Sequence, residues 1–497
     1  MKKTLALFLA VLMLATLFAG CGKTPAADNT TGAPSTTAPK NDETKGTEKT
    51  DDIVTLKWVA VGSGMPANYD AWAANLNAYL EEKIGVHLEM EIITWGDWDT
   101  RRNMIVSTGE PYDIMFTNNG TFASDVAMGA FLDISDLVKT ASPNLYSFIP
   151  EDYWTACSLG GKVYGVPAYK DSSSTQYFIY DKAKADATGL NYADAHTMQD
   201  VTPILKAINE ADNGEATFIL AKGGLDAIYG GKYDDMSAGL PAMGVSYNAS
   251  GKPTVVPVFE QEDVMTDLKT LNEWYKAGYI NSDAAILDEA PKYRAAYVAQ
   301  GWSGAANTTW GPGMGVEAIA IQWGNTVLSN STVQGSMSCI SAACKAPDKA
   351  LQLLELVNTD SKVRDALYYG LEGDNFDYTA DGKVHKNNTD WTMAGYTQGT
   401  FFNVTTVDTD SFNQWDEVKQ LNENATPSPV LGFTFDRTPV SNKLDACIAI
   451  FNEYKATLMT GTADPETTAA EMMTAMRNAG FDDVLKEAQA QIDAWVG

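Results

Sequence analysis

Histidine is scarce in this chain: His87, His196 and His385 are the only three among 497 residues, and they lie far apart. No two sit at the spacing of a helical zinc site, so a His-based zinc hydrolase has no support. A Gly-x-x-x-x-Gly-Lys phosphate loop is also missing. Gly301-Trp302-Ser303-Gly304-Ala305 departs from the Gly-x-Ser-x-Gly nucleophile elbow, and Gly311, Gly313 and Gly315 have the wrong spacing for a dinucleotide turn. Residues 374–381 lack the acid spacing and terminal Glu of a calcium loop, and Asp381-Gly382 reads as a hairpin turn. Beyond Cys21 only Cys157, Cys339, Cys344 and Cys447 remain, and their spacing shows no disulfide framework, which leaves free thiols and bridges both open. Basic residues are in short supply as well: 35 against 64 acids give a net charge of −29, and −31 once Lys2 and Lys3 are removed. Such a surface repels nucleic acid and anionic head groups.

One apolar run stands out, at the N-terminus. Lys2 and Lys3 precede an apolar core over residues 5–18, broken only by Thr16, and Ala19-Gly20-Cys21 is a small-residue cleavage site. The run is shorter than the roughly 20 apolar residues of a membrane span. It resembles a bacterial lipoprotein signal, which implies removal of residues 1–20, lipidation of Cys21 and a body working outside the cytoplasm. Residues 22–52 contain no Val, Ile, Leu, Met, Phe, Trp or Tyr and cannot bury enough apolar surface to offset ordering entropy. They read as a disordered tether with a reach of roughly 30 Å.

From Ile53 strands alternate with helices. Residues 55–61 (TLKWVAV), 86–94 (VHLEMEIIT) and 112–116 (YDIMF) read as strands, and 71–84 and 98–107 as helices. That order predicts an α/β unit with parallel pairing and right-handed crossovers. The turns at 62–69, 95–98 and 117–122 then lie at the carboxyl edge of the sheet, where open α/β sheets bind ligands. Their Gly, Asn, Ser and Thr content is also ordinary turn chemistry.

Further on, 201–211 and 262–277 read as helices, 244–258 as a hairpin turning at 248–252, and 293–300 as a helix. Residues 301–315 (GWSGAANTTWGPGMG) show neither period and read as a loop. Trp302, Asn307 and Trp310, with Gln322 and Trp323 close behind, have the chemistry of a sugar site: flat aromatics for the C–H face and amides for the hydroxyls. The competing reading makes Trp302 and Trp323 core residues. Residues 391–407 read as loop, and 442–454, 465–480 and 482–496 as helices without a functional signal.

Several segments in order, RRNMIVSTGEPYDIMFTN (101–118), GAFLDISDLV (129–138), KVYGVPAYKD (162–171), EWYKAGYINSDAA (273–285), CKAPDKALQLLELVNTD (344–360), LYYGLEGDNFDY (367–378) and LGFTFDRTPVSNKLDACIAIFNEY (431–454), resemble the extracellular solute-binding lipoproteins of ABC importers. The match is to the carbohydrate-type branch with a DUF3502-like C-terminal domain. The resemblance implies a type II periplasmic-binding-protein-like clamp of two α/β lobes joined by hinge crossovers near 166–180, 336–343 and 429–435, with Gly335 and Gly432 as permissive positions beside two of them. The expected first lobe is 53–172 plus about 336–430; the second is 173–335 plus about 431–497. By the same carry-over Trp95, Asn118 and Asn119 face the cleft from the first lobe, Asp171 from the hinge, Trp302 and Trp310 from the second lobe, and Tyr369 or Phe435 from near later crossings; Asn307 and Trp323 join them on their side-chain chemistry alone. The implied protein is a monomeric, membrane-anchored receptor without a cofactor or catalytic role, passing a carbohydrate to a permease. A peptide or other polar solute is the alternative ligand. A glycoside hydrolase using acids such as Glu260, Glu262 and Asp263, or a surface adhesin, is the alternative class.

Overall fold

In the computed structural model, which describes residues 53–497, the alternation resolves into two main sheets. The leader, Cys21 and the tether lie outside the described residues. The strands that matter here are β1 (Val54–Gly62), β2 (Val86–Thr94), β3 (Ile114–Thr117), β4 (Val166–Pro167), β5 (Ser174–Asp181), β6 (Ala296–Gln300), β7 (Ala318–Leu328), β8 (Met337–Ile340) and β9 (Thr426–Pro427). The first sheet has the order β2-β1-β3-β8-β4 and the second β6-β5-β7-β9. β1 pairs in parallel with β2 and β3, while β8 runs antiparallel to both β3 and β4.

β1 is buried on both faces from Trp58 to Gly62, as a central parallel strand must be. Helix α1 (Tyr69–Ile84) turns Trp72, Leu76 and Leu80, one turn apart, into the first core, each contributing about 1.5–3 kcal/mol by burial. α2 (Trp98–Thr108) follows β2. In the second half α3 (Met198–Ala211) opens with a capping box of Thr197 and Asp200, and α4 (Glu262–Lys276) packs beside it in a second core. After β8 come α5 (Pro347–Thr359), α6 (Ser361–Tyr369) and α7 (Gln414–Glu423); α8 (Ser441–Leu458), α9 (Pro465–Ala479) and α10 (Phe481–Val496) close the second core. Among the described residues no helix is long and apolar enough to cross a membrane.

The chain passes between the sheets three times. It leaves β4 and enters β5 across 168–173, and returns across 329–336. Met337–Ile340 already belongs to the first sheet, so the second passage precedes the 336–343 stretch expected from sequence. The third passage is also earlier than expected, because Thr426–Pro427 pairs with β7 at Val327 and Leu328 and Val430, Phe433 and Phe435 sit in the second core. Two-residue strands carry no period that a sequence could display. Gly432 does take a left-handed φ of 87°, whereas Gly335 is not among the left-handed glycines.

Two further expectations are corrected. The end of the expected 293–300 helix is β6, paired along its whole length with β5 from Ala296↔Tyr180 to Gln300↔Gln176. A short apolar run fits either period, and the free edge of β5 decided it. Residues 301–315 are not simple loop: helical turns run over Ala306–Trp310 and Gly311–Met314, closed by Gly315 and Val316 N–H groups donating to the Gly311 carbonyl at 2.8 and 3.1 Å. Alternating glycines and a proline conceal such turns from propensity. The four described cysteines are free thiols; Cys157, Cys339 and Cys447 are buried, and burial pushes the Cys447 thiol up to about 11.

Arg102 on α2 forms a buried ion pair with Asp125, its Nη1 donating to both carboxylate oxygens, and the Asp125 helix (Phe122–Ala127) follows the 117–121 turn. Burial outweighs the guanidinium and leaves the Asp125 carboxyl above its ordinary pKa. Replacing Arg102→Met leaves that acid unpaired, with an expected loss of about 3–5 kcal/mol in urea unfolding; a loss below about 1 kcal/mol would show the pair to be dispensable.

Candidate functional site

The carboxyl ends of β1, β2 and β3 form one edge, and a later segment lies across it. Ser63 N–H donates to the Thr392 carbonyl at 2.7 Å, the Thr392 hydroxyl donates to Gly64 O at 2.8 Å, and Ala394 N–H donates to Val61 O at 3.2 Å. Only glycine fits at position 62, since a Cβ there would stand 2.4 Å from the Thr392 carbonyl oxygen. This overlay places Tyr396 beside Trp95, with ring centroids 6.5 Å apart and planes 15° from parallel. Both residues are 46% exposed, while Trp95 meets Phe116 edge-to-face at 5.9 Å. Two large aromatics held half-exposed and nearly parallel make a platform for a flat apolar face.

The overlay is fixed from beneath by Arg364 on α6. Its fully buried guanidinium donates to the backbone carbonyls of Thr400 (2.5 Å), Gly395 (2.9 Å) and Gly399 (3.3 Å), and burial pulls its pKa down to about 10. Neither Tyr396 nor Arg364 was singled out from sequence. Tyr396 sits in a stretch read as plain loop, and its only local signal is an aromatic in polar surroundings; Arg364 looks like any helical arginine.

At the hinge Asp171 is half-buried and paired with Lys170 at 2.5 Å. The Lys170 ammonium also lies 5.7 Å from the Phe401 ring. Asn422 on α7 clasps this passage, accepting from Ser173 N–H at 3.0 Å and donating to the Lys170 carbonyl. Five residues earlier on the helix, the Glu417 carboxylate accepts from Ser303 and Gly304 N–H at 2.7 and 2.9 Å. Trp302 packs on Trp415 of α7 at 5.7 Å, and Trp415 on Phe401 at 4.2 Å. One helix therefore holds both the first passage and the loop that carries Trp302.

Of the other residues expected at the site, Asn119 and Asn307 are exposed. Asn118 shapes its own turn, its Oδ1 accepting from Gly120 N–H at 3.0 Å. Trp310 is half-buried against Tyr177 at 5.9 Å. Three expectations are corrected. Trp323 is buried in the second core and stacked on Phe178 at 4.9 Å, because strand alternation turns it inward. Phe435 is likewise a core residue, and Tyr369 is buried under the 376–386 hairpin with its hydroxyl donating to Thr405 O at 2.5 Å. Among the acids weighed for hydrolysis, Glu260 is paired with Arg477 at 2.6 Å, and Asp263 accepts from the Tyr233 hydroxyl at 3.0 Å.

Two α/β sheets linked by three passages, with an aromatic platform at the carboxyl edge of one, define a hinged ligand-binding protein. The model of the bacterial extracellular solute-binding protein family matches residues 74–371, and that of the domain of unknown function DUF3502 matches 429–497. The chain belongs to the bacterial extracellular solute-binding protein family. A curated relative, a carbohydrate ABC transporter substrate-binding protein from Streptococcus pneumoniae, is 28% identical over 478 residues, 90% of this chain and 91% of its own. The crystal structure of the N-glycan transport solute binding protein NgtS from Streptococcus pneumoniae is similar with a TM-score of 0.79 and 26% identity, over 89% of this chain and 98% of that one. The crystal structure of NgtS in complex with Man5GlcNAc gives a TM-score of 0.66 at the same identity and coverage. These neighbours share the type II arrangement of mixed α/β lobes.

If Arg364 holds the overlay, Arg364→Met should expose residues 395–412 to limited proteolysis and lower stability by about 3 kcal/mol, since the buried Thr400 and Gly399 carbonyls lose their donor and the Gly395 carbonyl keeps only Gln398 N–H. An unchanged digestion pattern would mean that packing alone seats Tyr396.

Proposed function

We propose that the protein is the receptor of an ABC importer, that it captures an oligosaccharide between its lobes, and that it hands the sugar unchanged to a membrane permease. The observation carrying this reading is the half-exposed Trp95–Tyr396 pair at the carboxyl edge of the first sheet. A pyranose ring offers an apolar C–H face that such a pair can stack, and its hydroxyls require fixed donors and acceptors around it. Asn119 on the neighbouring turn, Asp171 on the first passage, and Trp302, Asn307 and Trp310 on the second lobe supply amide, carboxylate and aromatic groups. The relatives support the same reading, as NgtS is described as an N-glycan transport protein and has been crystallised with Man5GlcNAc.

Closure follows from the passages. Ligand favours the closed clamp only by the contacts it gains there and not in the open form. The chain resembles NgtS more closely than it resembles the NgtS–Man5GlcNAc complex, which fits a clamp whose lobes move on binding. Membrane attachment through a lipidated Cys21, a tether over 22–52, a monomeric state and the absence of catalysis belong to the same proposal. The lobes would span 53–172 with about 336–430, and 173–335 with about 431–497; the positions of β8 and β9 argue for moving the two return boundaries a few residues earlier.

A thermal-unfolding screen of the mature chain with Man5GlcNAc, other saccharides and peptides tests this. A cognate sugar at a hundredfold excess over Kd should stabilise the fold by about 2.7 kcal/mol and be recovered intact by mass spectrometry. Trp95→Ala and Tyr396→Ala should each weaken that sugar about tenfold. Cleaved sugar would point to a hydrolase, and a shift with peptides alone would end the carbohydrate reading.

A further inference from the structure

The second sheet carries an open edge that the reading above does not use. β9 pairs with β7 only at Val327 and Leu328, leaving the remainder of that edge without a strand neighbour among the described residues. Backbone direction along β7 is fixed at two points: the Glu317 carbonyl accepts from Lys182 N–H on the β5 side at 2.9 Å, and the Gln322 carbonyl accepts from His196 Nδ1 on the opposite side at 2.9 Å. Period-two alternation therefore aims the N–H and C=O of Ala320 and the N–H of Gln322 outward.

Those groups face a groove of about 650 Å³, within the usual range for small-ligand sites. Tyr177, His196, Gln322 and Asn325 line one wall, and Gln420 of α7 and Asn424 just past its end stand on the other. Among the described residues no lysine or arginine lines it. Its one acid, Glu417, already accepts from both Ser303 and Gly304 N–H groups. An anionic ligand would lose hydration here with no cation to meet it, which is costly. Amide side chains and an unpaired strand edge offer donors and acceptors in alternation, as a neutral polyhydroxyl chain requires. Ser303 lines the groove and follows Trp302 directly, so the groove opens beside the loop already assigned to the sugar site.

We propose that this groove holds a neutral arm of an oligosaccharide whose other end stacks on the Trp95–Tyr396 pair, so that it selects for longer or branched neutral glycans. This rests on the carbohydrate reading above. The test is isothermal titration of the mature chain with Man5GlcNAc, its truncated counterpart Man1GlcNAc and a sialylated glycan. Wild type should bind Man5GlcNAc more tightly than Man1GlcNAc and bind the sialylated glycan more weakly than either. Asn325→Trp and Gln420→Trp fill the groove from opposite walls; each should weaken Man5GlcNAc by at least about tenfold and leave Man1GlcNAc unchanged. Circular dichroism would confirm that the variants fold. Equal weakening of both neutral sugars, no change with either, or preferred binding of the sialylated glycan would overturn the groove and leave the receptor standing. If wild type binds no saccharide at all, both readings fall.

Discussion

Neither main sheet is built from one continuous stretch of chain, and the rest of the molecule depends on that constraint. β8 must come back from the second lobe to fill the first sheet between β3 and β4, and β9 must arrive after the first lobe's helices to meet the end of β7. Each sheet gains its backbone hydrogen bonds only when the chain has crossed. Three passages side by side cannot be pulled apart without losing strand pairs, yet they can rotate, since a hinge needs only a few residues to absorb the change in backbone angles. A two-lobed binding protein follows from the way its sheets are completed.

Helix α7 sits where these passages meet. Asn422 grips the backbone of the first passage, Glu417 fixes the turn at Ser303 and Gly304, and Trp415 fills the space between Trp302 and Phe401. Rotation about the hinge and the position of the second-lobe loop are thus tied to one rigid element. The same helix forms a wall of the groove along β7. On the first lobe, Arg364 does the corresponding job by satisfying three backbone carbonyls at once, a use to which the five-donor guanidinium is suited.

Much of this was legible in the sequence. The β1–α1–β2–α2–β3 run was readable because each element has an uninterrupted period and lies in contact with its sequence neighbours; β2 falls on 86–94 as expected. Reading failed where an element is too short to show a period, as with β9, or where its partner is far away, as with β6, whose 5 residues became a strand because β5 offered a free edge more than a hundred positions earlier. At the site, Trp95 was legible as an aromatic following a strand. Tyr396 was not, since nothing near it says that residues 391–396 will cross the end of β1.

The sequence alone therefore carried the N-terminal pattern that reads as an export leader, the stretch over 22–52 without large apolar residues, the acidic balance and the α/β class, because these are properties of composition and local period. Only the tertiary structure decided which tryptophans meet solvent: Trp323 and Gln322 are adjacent in the chain, and strand alternation within a folded sheet sends one into the second core and the other to the groove. Burial is a relation between distant residues, and a linear pattern fixes it only where packing partners are also neighbours in sequence.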